Sequence, residues 1–289
     1  MAIPTLLAVT DVVTQALKRG GRTTPTAAQI DEAITHAFQE VKADIMLIAP
    51  THRNLMQTAI TVTTRGLQRY SVPADYNEQS SIVLLSTPDE WTGTAQFGDT
   101  FEITLALSTT FTTDDLIGKY ILITSGPGAE EYNQIVGYDP NTKIATMDLA
   151  WLANPTSAST YAIIRETQQL YPNSTAFDFD RISYSSEVGK PCIASMSGQE
   201  FLLYPVPDKS SYGLLTRYWV DLSKVNETSD LMLQLLREWR SLWIQGVAVK
   251  TMQRYDEDRY QSELSVYKTM LDSLSNQTCQ VTVSRFMDV

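Results

Sequence analysis

The chain has 289 residues, 43% hydrophobic and 19% charged, which excludes a disordered tail, a collagen-like repeat and a coiled-coil rod. What remains is a globular protein of one large domain or two, and its two cysteines (Cys192, Cys279) and two histidines (His36, His52) are too few for a disulfide scaffold or a cysteine zinc site. The net charge of −11 is concentrated: between Tyr70 and Ser210 stand 18 acids against 6 bases, a sign that repels nucleic acid, whose affinity rests on Lys and Arg neutralising phosphates.

No apolar run approaches membrane-spanning length, and Met1-Ala-Ile-Pro-Thr5 lacks a basic leader region, so neither a spanning helix nor a secretory signal is expected and synthesis in a cytoplasm is. Leu6–Leu17 predicts a short helix, ended by Lys18-Arg19-Gly20-Gly21. Thr26 with Gln29 reads as a capping box opening an amphipathic helix to Ile48, with Ile30, Ile34, Phe38, Val41, Ile45 and Ile48 on one stripe and Pro50 behind it. The period then changes to two: Ile60, Val62 and Thr64 alternate, Arg65-Gly66 turns, and Tyr70-Ser-Val-Pro-Ala-Asp-Tyr76 follows as strand, turn, strand. Ser81–Ser86 reads as a buried strand.

From Pro88 to Arg165 the pattern predicts strands at Phe101–Leu107, Tyr120–Thr124, Asn133–Tyr138, Ile144–Leu149 and Thr160–Ile164, with turns at Ser125-Gly-Pro-Gly128 and Asp139-Pro-Asn-Thr142. Such spacing predicts a small antiparallel barrel or sandwich, inserted over residues 87–165. Strands resume at Gln168–Ser174, Arg181–Tyr184, Gln199–Asp208 and Gly213–Trp219, with the prolines at an edge or a strand end. The last third is helical: Leu236, Trp239, Trp243 and Val247 share a face, and Tyr260, Leu264, Tyr267, Leu271 and Leu274 continue the repeat. Asp258 with Gln261 could cap a second helix; an unbroken one from Leu231 to Ser275 would run roughly 65 Å, and the sequence leaves both open. The expected fold class is α+β. A helical bundle, the N-terminal helix plus a C-terminal helical pair, packs with an antiparallel β layer over residues 1–86 and 166–289, and the small β-domain is inserted between them.

No catalytic motif emerges. Ser125-Gly-Pro-Gly128 lacks the Lys-Ser/Thr of a phosphate-binding loop and reads as a hairpin turn, and no Gly-x-Ser-x-Gly elbow occurs between Gly189 and Gly198. His36 and His52 have no second histidine at helical spacing and read as solvated or capping residues; a spatial Ser–His–Asp triad stays open. Asp178, Asp180, Asp256, Glu257 and Asp258 are of the type glycosidases pair, although Asp256-Glu-Asp258 is more simply a helix-start cluster. No calcium-loop pattern occurs, so the expectation is no catalytic residue, no metal site and no cofactor. The chain's 14 tyrosines and 5 tryptophans could stack on sugars or anchor interfaces; Trp239, Trp243, Tyr260 and Tyr267 are candidates for core or subunit-contact positions on the C-terminal helices.

The order of parts carries a resemblance. An N-terminal amphipathic helix, Tyr70-Ser-Val-Pro-Ala-Asp-Tyr76, Phe201-Leu-Leu-Tyr-Pro-Val-Pro-Asp208, Tyr218-Trp219 and a closing helical pair resemble the head-to-tail adaptors, or tail tubular proteins, of short-tailed bacteriophages, over residues 25–86 and 166–275. The insert departs from the smallest members, although Leu116-Ile-Gly-Lys119 through Trp151 is similar to β-modules of larger tail components. The resemblance implies a structural protein at the head–tail junction of the virion, assembled in the host cytoplasm. It implies a homo-oligomeric, dodecameric ring below the portal protein, with tail nozzle or fibre proteins attached and DNA passing through the lumen without specific binding. The segment after Ser275, residues 276–289, is then expected to be a portal-docking arm, mobile when unbound, carrying Val281, Val283, Arg285 and Phe286. The rival expectations are a polysaccharide-degrading component using the carboxylates above and a glycan-binding module in the insert.

Overall fold

The computed structural model describes residues 9–173, 187–197, 199–255 and 259–285, and the chain is of mixed α+β class. It divides into two compact units: residues 1–57, 74–78 and 218–289 form one, and residues 58–73 and 79–217 the other. Among the described residues no helix is long and apolar enough to cross a membrane.

The first unit is helical and is made from both ends of the chain. Helix α1 (Val9–Arg19) ends with two basic residues and Gly21 at positive φ, the C-terminal signal read in the sequence. Helix α2 (Ala27–Ala33) opens on the Thr26–Gln29 capping box, passes through a π-helical turn at Ile34–Phe38, and continues as α3 (Gln39–Ile48). From the other end come α5 (Asp230–Glu238), capped by Ser229, then α6 (Arg240–Tyr255) and α7 (Tyr260–Arg285); the short α4 (Thr113–Leu116) belongs to the second unit. Neither C-terminal alternative holds in full, because Trp239, with φ −109° and ψ 30°, separates α5 from α6. The sequence pattern runs across that break since Leu236, Trp239 and Trp243 keep helical spacing. Asp258, expected as a cap, lies outside the described residues.

Within the expected arm the backbone is helical through Arg285, so Val281, Val283 and Arg285 belong to α7, while Phe286 lies outside the described residues. No Gly or Pro interrupts residues 260–285, and propagation costs little once a helix exists.

Gly246, in the middle of α6, sets the spacing of this unit. A Cβ there would lie 2.7 Å from Val41 Cγ2 on α3 and 2.8 Å from Tyr267 Cε2 on α7, so the helices approach to a distance only glycine permits. Against this contact pack Phe38, Val41, Ile45, Trp243, Val247, Tyr267 and Leu271, all buried.

The second unit is layered. A central sheet runs β1 (Met56–Val62), β17 (Gly213–Val220), β3 (Tyr76–Ser86), β11 (Glu166–Gln169), and β3 covers the predicted buried strand. A second sheet runs β12 (Tyr171–Asn173), β14 (Ile193–Ser197), β15 (Glu200–Tyr204), β2 (Arg69–Ser71). The expected strand–turn–strand at Thr58–Tyr76 is therefore not a hairpin, since β1 and β2 enter different sheets. The chain turns the corner at Thr64–Leu67, where Gly66 has φ +79° and the Tyr70 hydroxyl accepts from Thr64 N at 3.0 Å and donates to Leu67 O at 3.0 Å. Between the sheets lie Tyr70, Ile82, Leu84, Phe201, Leu203 and Leu214. A short parallel pair, β13 (Val188–Gly189) with β16 (Val206–Pro207), adjoins the cis Tyr204–Pro205 peptide. The expected strand at Arg181–Tyr184 lies outside the described residues.

The third sheet has the order β4 (Thr92–Thr94), β10 (Thr160–Ile164), β7 (Tyr120–Ser125), β8 (Tyr132–Asp139), β9 (Ile144–Met147), β6 (Glu102–Thr104), β5 (Phe97–Asp99). Its predicted strands are found, and both predicted turns connect consecutive strands. One face gathers Ile103, Ile121, Ile123, Ile135, Tyr161 and Ile163 into a core drawn wholly from residues 91–163. On the other face Leu122 and Ile164 meet Leu85 and Leu215 of the central sheet. Alternate residues of β7 and β10 thus serve two different cores.

Gly246→Ala is expected to destabilise the protein by about 1–3 kcal/mol through overpacking, exceeding the roughly 1 kcal/mol that alanine contributes to a helix interior. Urea unfolding checks this, and a midpoint equal to or above that of the parent protein contradicts the close-approach argument.

Candidate functional site

Lys42 is the least expected residue of the helical unit. It occupies the apolar stripe of α3 beside Val41 and Ile45, and its side chain is 1% exposed. The ammonium donates to Val225 O and to Glu227 Oε1, both at 2.9 Å, and lies 5.7 Å from the Phe38 ring centroid. Gln39 donates to the same Glu227 oxygen at 2.8 Å. Partial burial opposes ionisation of Glu227, but the bonds from Lys42 and Gln39 outweigh it and hold its carboxyl below the ordinary range. A buried cation so satisfied fixes the segment before α5 onto α3, an internal tie between two parts of the helical unit.

The four aromatic candidates separate into two kinds. Trp243 and Tyr267 are buried in the core of their own chain, the first of the two alternatives read for them. Trp243 stacks on Phe38 at 4.8 Å, and its indole N–H donates at 3.2 Å to Leu235 O, at the turn where α5 ends. Tyr267 donates to Asp44 Oδ2 at 3.0 Å, and Lys250 holds the same oxygen at 2.8 Å. Burial, with the Asp44 carboxylate, pushes the Tyr267 hydroxyl up. Trp239 and Tyr260 stay half-buried and each borders a cavity. Trp239 meets His52 edge-on at 5.0 Å and lines a space of about 300 Å³ with Leu242, Met270 and Leu274, edged by Arg237 and Arg240. Tyr260 lines a space of about 380 Å³ with Leu47, Leu264 and Lys268.

In the seven-stranded sheet the carboxylates do turn work. Asp139 accepts from Asn141 N and the Thr142 hydroxyl, both at 2.9 Å, and Asp115 accepts from Thr112 N at 2.8 Å, which lowers both acids. Glu131 clamps the loop after β9, accepting from Leu152 N at 2.8 Å and Ala153 N at 2.9 Å. That loop is tied to the β5–β6 turn by Met147 N to Phe101 O at 2.8 Å and Trp151 N to Thr100 O at 2.9 Å. The joined rim exposes Phe97, Phe101, Leu149 and Leu152. A second exposed apolar feature is the Tyr120–Tyr132 pair on β7 and β8, with ring centroids 5.7 Å apart.

His36 is exposed on the π-helical turn, and His52 is a buried capping residue whose Nδ1 accepts from Asn54 N at 3.2 Å. Cys192 is half-buried with Sγ 3.6 Å from Tyr204 O. Asp178, Asp180, Asp256, Glu257 and Asp258 lie outside the described residues. Among the described residues no group of three or more His, Cys, Asp or Glu is placed to hold a metal ion. Every resolved shift among them moves a tyrosine up or a carboxylate down, away from neutral pH.

Sequence reading missed Lys42 and the exposed rim. The first had a signal: a lysine four residues after Phe38 and three before Ile45 sits on the stripe that must be buried. The rim had none: Phe101 and Leu149 fall inside the predicted strands Phe101–Leu107 and Ile144–Leu149, whereas β6 begins at Glu102 and β9 ends at Met147.

Stability that depends on Glu227 is present above the ordinary carboxylate range and is lost as pH falls through its lowered value. Glu227→Gln is therefore expected to cost stability at pH about 7 and to lose less than the parent chain between there and pH about 3, read by urea midpoints at both; parallel losses in the two proteins contradict it. Comparison with known proteins assigns no family: no protein-family model matches this chain, and no curated protein matches it in sequence.

Proposed function

We propose that this chain is a structural virion protein, a head-to-tail adaptor of a tailed bacteriophage of the short-tailed type. It assembles as a homo-oligomeric ring below the portal, extends the DNA channel and offers the surface on which nozzle or fibre proteins attach. The supporting observation is that the two segments carrying the resemblance, about 130 residues apart, are neighbours in one sheet: β2 pairs with β15, with Phe201 opposite Tyr70 and their rings 5.8 Å apart. Motifs that serve one piece of architecture are expected to converge in this way.

Three further features favour the reading. The helical unit joins both chain ends, in keeping with the N-terminal helix and closing helices of the resemblance. Asp115 and Asp139 are held in surface turns, and the acidic excess of residues 87–165 favours a negative module past which DNA slides without sticking. The resolved titration shifts belong to paired structural groups, whereas acid–base catalysis calls for values near the working pH. The chain acts in this reading without catalysis or cofactor.

Full-length protein mixed with purified portal rings and imaged by electron microscopy is expected to form ring-shaped complexes stacked on the portal. If the chain stays unbound and no ring appears, the adaptor reading fails. The exposed Tyr120–Tyr132 pair supports a second reading, a glycan-binding tail component, since aromatic faces stack on sugars. That reading is favoured if the full-length chain binds capsular or cell-wall glycans, loses them in Tyr132→Ala and ignores portal.

A further inference from the structure

Leu152 is a large apolar side chain that folding leaves almost wholly in water, 94% exposed. The loop that carries it is nevertheless held in place, because both oxygens of Glu131 accept from its backbone, at 2.8 and 2.9 Å. A loop backbone ordered in this way loses little further freedom when its side chain is buried, as a binding knob requires. Phe97, Phe101 and Leu149 stand on the segments joined to it by hydrogen bonds, 63%, 50% and 65% exposed. Monomeric proteins seldom expose contiguous apolar area of this kind without using it. The charges of the rim are carboxylates: Asp99 and Glu102 on the hairpin, Glu131 and Asp148 behind the loop.

The helical unit carries a socket of the opposite character. The space of about 300 Å³ beside Trp239 has Leu242, Met270 and Leu274 on its walls and Arg237 and Arg240 on its edge. Arg240 spends one bond on Gln15, at 3.0 Å, whereas Glu238, the acid of this edge, is engaged by Asn54 and by Gln234 at 2.9 Å. The larger space near Tyr260 is less suited, since its Lys250 is already neutralised by Asp44 at 2.8 Å and Glu40 at 3.7 Å.

We propose that the Leu152 rim of one copy docks in the Trp239 socket of a second copy, with Arg237 and Arg240 facing the rim carboxylates. Knob and socket are different surfaces of one chain, so the contact is heterologous and repeats around a ring or along a filament. The proposal rests on the ring reading above and gives that ring its lateral contact. Apolar insertion supplies affinity, and the opposed charges fix register.

Sedimentation velocity over a dilution series of full-length protein tests it. The parent chain is expected to self-associate reversibly. Leu152→Asp and Arg237→Glu are each expected to weaken association about tenfold or more, with thermal midpoints unchanged because both side chains are exposed. Glu102→Lys combined with Arg237→Glu is expected to regain at least part of the loss. A parent chain that stays monomeric at the highest concentration reached overturns the contact, as does association that survives both single variants. So does association that falls in Lys268→Glu instead of Arg237→Glu, which would move the seat to the other space. Portal-templated rings that Leu152→Asp forms as readily as the parent chain remove this contact while leaving the adaptor reading standing; self-association of the expected pattern without any portal complex does the reverse.

Discussion

The helical unit depends on a missing side chain. At Gly246 three helices from opposite ends of the chain, α3, α6 and α7, come close enough that a single methyl would have to displace Val41 or Tyr267. Glycine in a helix interior is costly by itself, about 1 kcal/mol against alanine, so local propensity cannot account for it there. Tertiary packing can, because the approach lets Trp243 stack on Phe38 and brings the Tyr267 hydroxyl to Asp44. Lys42 then ties the segment before α5 to α3, across a sequence separation of more than 180 residues. Closing a loop of that length costs entropy that grows only logarithmically, and the long β region between the two ends is tolerated for that reason.

The second unit solves a different problem, how one strand can serve two cores. In β7, Ile121 and Ile123 face the core of the seven-stranded sheet and Leu122 faces the central sheet, so the strand reads as an unbroken apolar run. A run of that kind signals burial on both faces, a sign that the reading of Tyr120–Thr124 as a strand did not use. Gly213 marks the junction, since a Cβ there would lie 2.7 Å from Leu122 Cδ2. The acidic excess of the same region follows from turn chemistry. Asp115 and Asp139 accept backbone N–H groups in short connections, so the negative surface and the fold are produced by the same residues.

Local signals in the sequence therefore proved accurate and non-local ones were invisible. The Thr26 capping box, the glycine end of α1 and the hairpin turns at Ser125–Gly128 and Asp139–Thr142 rest on contacts within a few residues, and those contacts form as read. The break at Trp239 was hidden because aromatic spacing continues across it, and the separation of β1 from β2 was hidden because strand partners are chosen by distant segments, β17 and β15. The same limit applied to the candidate contact residues. Periodicity places Trp239, Trp243, Tyr260 and Tyr267 on apolar faces, but only packing shows that Trp243 and Tyr267 are consumed by their own core while Trp239 and Tyr260 are left at its edge.

That division bears on how such a chain could assemble. Deeply buried aromatics cannot turn outward without unfolding the unit, so an interface must be built from what the fold leaves over: half-buried Trp239, the space beside it, and the rigid rim that holds Leu152. The continuous backbone of α7 acts in the same direction. An extended arm would pay the ordering entropy of each residue on docking, about 1–2 kcal/mol for the backbone alone, whereas a segment already helical to Arg285 has met that cost on folding. Surfaces fixed in advance favour association by shape and register, and they leave the affinity of any single contact to be set by a few apolar anchors and the charges around them.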